Sequence, residues 1–278
     1  MLLEALDKQI HNLARRALEE DVGSGDITAA LIPEASRGKA QVVSRETAIL
    51  CGSAWFDAIF AELDPDVRVA WHTQDGERME PGAVVCRLEG RARSLLTGER
   101  AALNVLQTLS GTATLARRYA DAVTGLPVRI LDTRKTLPGL RIAQKYAVRT
   151  GGCHNHRTGL YDGILIKENH IAAAGSVKAA VAAARELATG LPLEIEVERL
   201  EQIPEALAAG ADILLLDNFD LDQLRAAVTL NRGQARLEAS GGVSLEKLRE
   251  IATTGVDAIS VGALTKNLQA VDLSMRFI

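Results

Sequence analysis

The chain has only three cysteines, Cys51, Cys86 and Cys153. They are odd in number and far apart, and no pair has the spacing of a zinc site, so neither a disulfide framework nor a structural zinc is expected. Reduced thiols in a cytoplasmic protein are the expectation. Cys153 can be read as a nucleophile, or as a small residue beside Gly151-Gly152. No run of about twenty apolar residues is present to cross a bilayer as a helix. Glu4 and Asp7 stand where a basic and then apolar targeting signal would begin, so no targeting segment and no membrane partner are expected. A basic excess is missing too: the net charge is -4, which argues against a general nucleic-acid binder. It does not argue against a small anionic substrate, because a pocket can be basic under an acidic surface. What remains is an ordinary soluble composition, 47% hydrophobic and 24% charged, in 278 residues, enough for one large or two ordinary domains.

Apolar residues at Leu2, Leu3, Leu6, Ile10, Leu13 and Leu18 predict an amphipathic helix ending near Glu19-Glu20-Asp21. Strand-like runs follow at Ala40–Ser44, Ala48–Cys51, Val67–Trp71 and Ala83–Leu88, with a helical run at Ala54–Leu63. Asp75-Gly76 and Pro81-Gly82 are turn signals between them. This part reads as an α+β unit on an antiparallel sheet. A long helical stretch from about Ser94 to Val123 comes next, with Gly111 as its expected break.

From Val128 the pattern changes. Apolar runs at Val128–Asp132, Gly163–Lys167, Leu193–Val197, Asp212–Asp217, Arg236–Ser240 and Ala258–Val261 alternate with helical segments. Asp220 with Gln223 forms a capping box, and Ser244 is a candidate N-cap. Continuous apolar strands between helices imply a parallel sheet covered on both faces, open or closed into a barrel. The strand ends favour the barrel. They carry Asp132 with Arg134, Lys167, Glu196 with Glu198, Asp217, Glu238 with Ser240, and Ser260 with Gly262. In a βα barrel such ends share one rim, where active sites lie. The tail ending Arg276-Phe277-Ile278 is expected to return to the first domain as an edge segment.

Between Asp132 and His170 an acidic protein gathers Arg134, Lys135, His156, Arg157 and Lys167, which points to a ligand with several negative charges. Ser240-Gly241-Gly242 and Val261-Gly262-Ala263 follow consecutive strands, and glycine lets backbone amides approach a phosphate. Glu196 and Asp217 can hold ribose hydroxyls or a magnesium ion bridging phosphates, or simply balance Lys135 and Lys167. Guanidinium forks suit planar carboxylates. The residues alone therefore suggest a sugar phosphate and a second substrate bearing carboxylates.

The chain also resembles the quinolinate phosphoribosyltransferases of NAD biosynthesis. The segments that carry the resemblance include Gly98-Glu99-Arg100-Ala101-Ala102-Leu103-Asn104, Asp132-Thr133-Arg134-Lys135-Thr136-Leu137-Pro138-Gly139, Asn155-His156-Arg157, Leu165-Ile166-Lys167-Glu168-Asn169-His170, Leu215-Leu216-Asp217-Asn218-Phe219 and Ser240-Gly241-Gly242. They run in order through nearly the whole chain. The resemblance implies an N-terminal open-faced α/β sandwich over about residues 1–108, joined by the tail from about 266 to 278. It implies an incomplete parallel α/β barrel over 109–265. It further implies a cytoplasmic homodimer in which Arg100 reaches quinolinate in the neighbouring subunit. Arg134, His156, Arg157 and Lys167 would complete the quinolinate pocket, and Thr133 would join the substrate-binding residues. Lys135, Glu196 and Asp217, the expected catalytic group, would face phosphoribosyl pyrophosphate and magnesium, with Glu196 and Asp217 as direct or indirect metal ligands. Ser240, Gly241, Gly242, Val261, Gly262 and Ala263 would take the 5-phosphate. Other readings are a molybdenum-associated relative of the family, a Schiff-base aldolase using Lys167, and a non-catalytic sensor of an anionic metabolite.

Overall fold

The computed structural model describes residues 2–187 and 190–278. In chain order its elements begin with α1 (Leu2–Val22), β1 (Arg37–Ser44), β2 (Ala48–Ile49), α2 (Ser53–Leu63), β3 (Arg68–Trp71), β4 (Arg78–Met79), β5 (Val84–Arg91), α3 (Ala92–Ala122), β6 (Arg129–Leu131) and α4 (Arg141–Thr150). They continue with β7 (Ile164–Ile166), α5 (Glu168–Ala174), α6 (Val177–Glu186), β8 (Leu193–Val197), α7 (Gln202–Ala209), β9 (Ile213–Asp217), α8 (Leu221–Asn231), β10 (Arg236–Ser240), α9 (Leu245–Ala252), β11 (Ala258–Ser260), α10 (Ala263–Lys266) and β12 (Leu273–Phe277). The chain divides into two compact units. One holds the residues up to Arg117, with Pro138–Gly152 and Asn267–Ile278; the other holds Arg118–Leu137 and Cys153–Lys266.

The first unit is built on a four-stranded antiparallel sheet in the order β12-β1-β5-β3. Along β1 buried residues alternate with exposed or half-buried ones, which a strand needs when only one face is covered. The covering layer brings Trp55, Phe56, Ile59 and Phe60 of α2 into the core, with Leu6, Ile10 and Leu13 of α1 packed against it. Tyr146 of α4 lies against Trp55, ring centroids 5.2 Å apart, and its hydroxyl donates to Asp75. These contacts explain why Pro138–Gly152 belongs to this unit although it follows the first barrel strand. The tail does return as an edge strand: β12 pairs antiparallel with β1.

Helix α3 runs unbroken through Gly111. Glycine there serves packing rather than bending, since a methyl group would overlap the backbone carbonyl of Gln269 in the returning tail.

The second unit is an incomplete barrel. Its six parallel strands follow the order β6-β11-β10-β9-β8-β7. Every residue of β8 is buried, as for a strand covered on both faces. Asp220 caps α8 through its bond from the Gln223 amide, and the Gln223 side chain returns the bond to the Asp220 amide. Ser244 stands at the N-cap of α9 in extended conformation. No strand pairs β6 with β7 among the described residues. Instead the chain at His154 makes a single parallel bridge to Leu131, with the His154 amide donating to Ile130 and the Asp132 amide to His154. This irregular edge leads directly into Asn155-His156-Arg157.

Candidate active site

Side chains alternate along a strand, so residues two apart share a face. That rule turns Lys167, Glu196, Asp217, Ser240 and Ser260 into one cavity of about 350 Å³ at the C-terminal ends of the strands. Thr133, Arg134, Lys135, His156, Arg157 and Glu238 complete its wall. The basic residues between Asp132 and Lys167 thus face the carboxylates of the later strands.

The 155–157 segment is held from below. Asp132 is fully buried; its carboxylate accepts the Asn155 side-chain amide at 2.6 Å and the His156 backbone N–H at 2.9 Å. Arg157 then lies against Gly163, where a Cβ would come within 3.2 Å of the arginine stem, and its Nη1 donates to the Gly163 carbonyl at 3.0 Å. Burial and the neighbouring charge of Arg134 push the Arg157 pKa down from its ordinary value. Two cations held this close have a clear use if an anion lies between them.

Lys167 makes an ion pair with Glu196. Burial pushes the Glu196 pKa up, Lys167 opposes this, and the nearby Asp217 adds to it. The residue expected at quinolinate and the residue expected at ribose are therefore partners in this structure. His170 acts locally, its Nδ1 accepting the Lys167 backbone N–H at the start of α5. Asp217 accepts from the side chain of Asn218 at 2.7 Å.

The glycine turns beyond the strands are tight. Gly241 has φ +95° and sits against Asn218, leaving no room for a Cβ. Gly242 also has a positive φ, +57°. A Cβ at Gly262 would lie 3.1 Å from the Lys135 side chain, so glycine there lets the lysine lie across the end of β11. Thr265 fixes the same loop by donating to the Lys135 carbonyl at 2.7 Å. Ser240 and Ser260 lie on the cavity wall; Gly241, Gly242, Val261, Gly262 and Ala263 continue their two strand ends just beyond it.

Three predicted features fall elsewhere. Arg100 is exposed on α3, in the first unit. Cys153 is buried and lies off the cavity wall, which leaves the nucleophile reading without support. Val261 is buried, with its amide bonded to Leu131.

Glu238, already singled out at the end of its strand, is joined by Glu194, which strand-end reasoning does not single out. Glu194 and Glu238 are only 4% and 3% exposed, and both approach His156 Nε2, at 3.1 Å and 3.5 Å. The Arg157 amide donates to His156 Nδ1 at 2.7 Å, so Nδ1 is an acceptor and the ring proton sits on Nε2. Burial, then the charge of Glu194, pushes the Glu238 pKa up to about 7, while His156 works against the rise. A signal for Glu194 does exist in the sequence: Glu194 and Glu196 alternate within a strand that is otherwise apolar, which aims both carboxylates into the barrel.

Comparison with known proteins agrees with this architecture. The quinolinate phosphoribosyl transferase N-terminal domain family matches residues 26–110, and its C-terminal domain family matches residues 112–276. The chain belongs to the quinolinate phosphoribosyltransferase family. A probable nicotinate-nucleotide pyrophosphorylase [carboxylating] of Bacillus subtilis is 43% identical over 268 residues, 96% of this chain and 93% of that protein. A mitochondrial quinolinate phosphoribosyltransferase [decarboxylating] of Nicotiana tabacum is 38% identical, covering 96% of this chain and 82% of its own. The solved nicotinate-nucleotide pyrophosphorylase of Francisella tularensis superposes with a TM-score of 0.95 at 43% identity, covering 98% of this chain and 97% of that one. Family membership and the basic stretch from Asp132 to Lys167 therefore agree on one phosphoribosyltransferase scaffold.

Proposed function

We propose that this protein transfers the phosphoribosyl group of phosphoribosyl pyrophosphate to quinolinate and decarboxylates the adduct. The products are nicotinate mononucleotide, pyrophosphate and carbon dioxide, a step of de novo NAD biosynthesis. The observation that carries this reading is the single cavity in which Arg134, Arg157, Lys135 and Lys167 face Glu196 and Asp217. Such a wall suits two anions, one of them a dicarboxylate, meeting at a centre that becomes positive.

Arg134, Arg157 and Lys167 hold the two carboxylates and aim the pyridine nitrogen at the anomeric carbon. Lys135 neutralises the departing pyrophosphate, and Glu196 or Asp217 steadies the growing positive charge on the ribose. The C–O bond to pyrophosphate breaks as the N–C bond forms, leaving a cationic ring nitrogen. Loss of the adjacent carboxylate as carbon dioxide leaves an electron pair that this cation stabilises, and a proton then replaces it. The reaction needs orientation more than a general base. The Ser240–Gly242 and Val261–Ala263 turns take the 5-phosphate.

Glu196 and Asp217 suit a magnesium ion that arrives with the substrate. They are close enough for Asp217 to disfavour the charged form of Glu196, and magnesium commonly binds one or two carboxylates together with substrate phosphates and water. Bound there, it would neutralise charge on the pyrophosphate.

Purified protein given quinolinate, phosphoribosyl pyrophosphate and magnesium is expected to yield nicotinate mononucleotide and carbon dioxide in equal amounts. Nicotinate in place of quinolinate should give no nucleotide. Product from nicotinate alone would refute the dicarboxylate assignment. An imine trapped by borohydride would favour the aldolase alternative.

The family resemblance carries the reading of a homodimer in which Arg100, exposed on α3, serves the partner's site. Inactive Arg100→Ala and Lys135→Ala chains, mixed and reassembled, are expected to regain activity because one site per mixed dimer is intact. No recovery in verified mixed dimers would place Arg100 in its own subunit's site or outside catalysis.

A further inference from the structure

Beneath the substrate cavity lies a second one of about 190 Å³, open toward the N-terminal ends of the strands, where Arg129, Ile164, Ile213 and Arg236 line it. His156, Arg157 and Glu238 line both, so they form the floor of the upper cavity and the ceiling of the lower. Two buried carboxylates under a pocket for a dicarboxylate are electrostatically unfavourable taken alone. A compensating role is needed, and the geometry supplies one.

Glu194 comes from β8 and Glu238 from β10, with β9 between them. Both converge on one nitrogen of one ring. The other ring nitrogen accepts the backbone N–H of Arg157. Imidazole orientation and tautomer are set by such outer partners. From the carboxylates to the arginine backbone there is thus a continuous set of polar contacts, anchored on the far side by Asp132.

We propose that Glu194 and Glu238 are positioning residues that fix the His156 ring from below and through it set Arg157 for the dicarboxylate substrate. This rests on the proposed function for the identity of that substrate. Neither carboxylate touches the reacting atoms. The floor supports the quinolinate half of the site, so the binding of phosphoribosyl pyrophosphate should be insensitive to it.

The test uses single Glu→Met and Glu→Gln variants at both positions of the full chain. Methionine keeps volume without an oxygen acceptor; glutamine keeps an acceptor without the charge. Quinolinate and phosphoribosyl pyrophosphate are titrated separately by calorimetry. Glu194→Met, which removes the 3.1 Å contact, is expected to weaken quinolinate at least about tenfold, the size of one lost charge-assisted contact; Glu238→Met, whose carboxylate stands 3.5 Å away, should weaken it less, and both should leave phosphoribosyl pyrophosphate unchanged. Glutamine should restore most of the quinolinate affinity. Unchanged or tighter quinolinate binding in the methionine variants would overturn the proposal, because relief of repulsion would then be the whole effect. Equal weakening of both ligands, or no rescue by glutamine, would overturn it as well. If the unmodified protein does not bind quinolinate, the functional reading fails, and the positioning role is judged on the ¹⁵N signals of the His156 ring. The Nε2 signal should be alike in the native and glutamine proteins and shift in the methionine variants, where an oxygen acceptor facing Nε2 is gone; an unchanged Nε2 signal in the latter would overturn the proposal.

Discussion

Replacement of Arg157 by alanine is expected to remove about 2–5 kcal/mol of quinolinate binding, the range for truncating one side of a buried, hydrogen-bonded charge pair. The size follows from where the side chain lies. It is half-buried, its stem rests on Gly163, and its Nη1 is fixed by the Gly163 carbonyl. The lowered pKa shows that burial and Arg134 disfavour the charge when no anion is there, so a carboxylate is met by a poorly solvated, already oriented fork. Arg157→Lys should fall between the two, keeping charge but losing the paired donors. Calorimetric titration with quinolinate checks this, with phosphoribosyl pyrophosphate as the control expected to bind normally. Near-native quinolinate affinity in Arg157→Ala would remove the residue from the pocket.

Periodicity makes the barrel legible because its strands are buried on both faces and so read as unbroken apolar runs between helices. Strand ends make the rim legible, since a polar residue ending such a run has one place to point. Lys167, Glu196 and Asp217 are found this way and line one cavity. Spacing fails where a residue's reason lies far along the chain. Gly111 reads locally as a helix break, yet it accommodates the carbonyl of Gln269. Pro138–Gly152 falls within the span 109–265 expected for the barrel, yet its helix packs on Trp55. The missing strand is not legible either, because a single bridge at His154 replaces it. Glu194 escapes strand-end reasoning because it lies mid-strand, and the contacts of His156 escape it because its partners come from three separate segments. A trans role for Arg100 is implied by the family resemblance alone, since no pattern on α3 contains it.

Glu238 should make the native state less stable as pH rises, opposite to the effect of an ordinary salt-bridged carboxylate. Its pKa is pushed from 4.5 up to about 7, first by burial and then by Glu194 on β8. His156 from the adjoining loop, Ser260 on β11 and Arg236 on its own strand oppose the rise. The folded protein therefore keeps a proton that the unfolded chain releases between these two values. The stabilisation is fully present below pH 4.5 and is lost as pH passes through about 7. A shift of this size corresponds to about 3 kcal/mol at most. Glu238→Gln fixes the neutral form and should abolish this part of the dependence. Urea unfolding of both proteins near pH 5 and pH 8 measures it: the native protein should lose more stability than the variant over that interval. Parallel pH profiles would mean that Glu238 is already ionised throughout, and that burial and Glu194 do not hold its proton in the folded state.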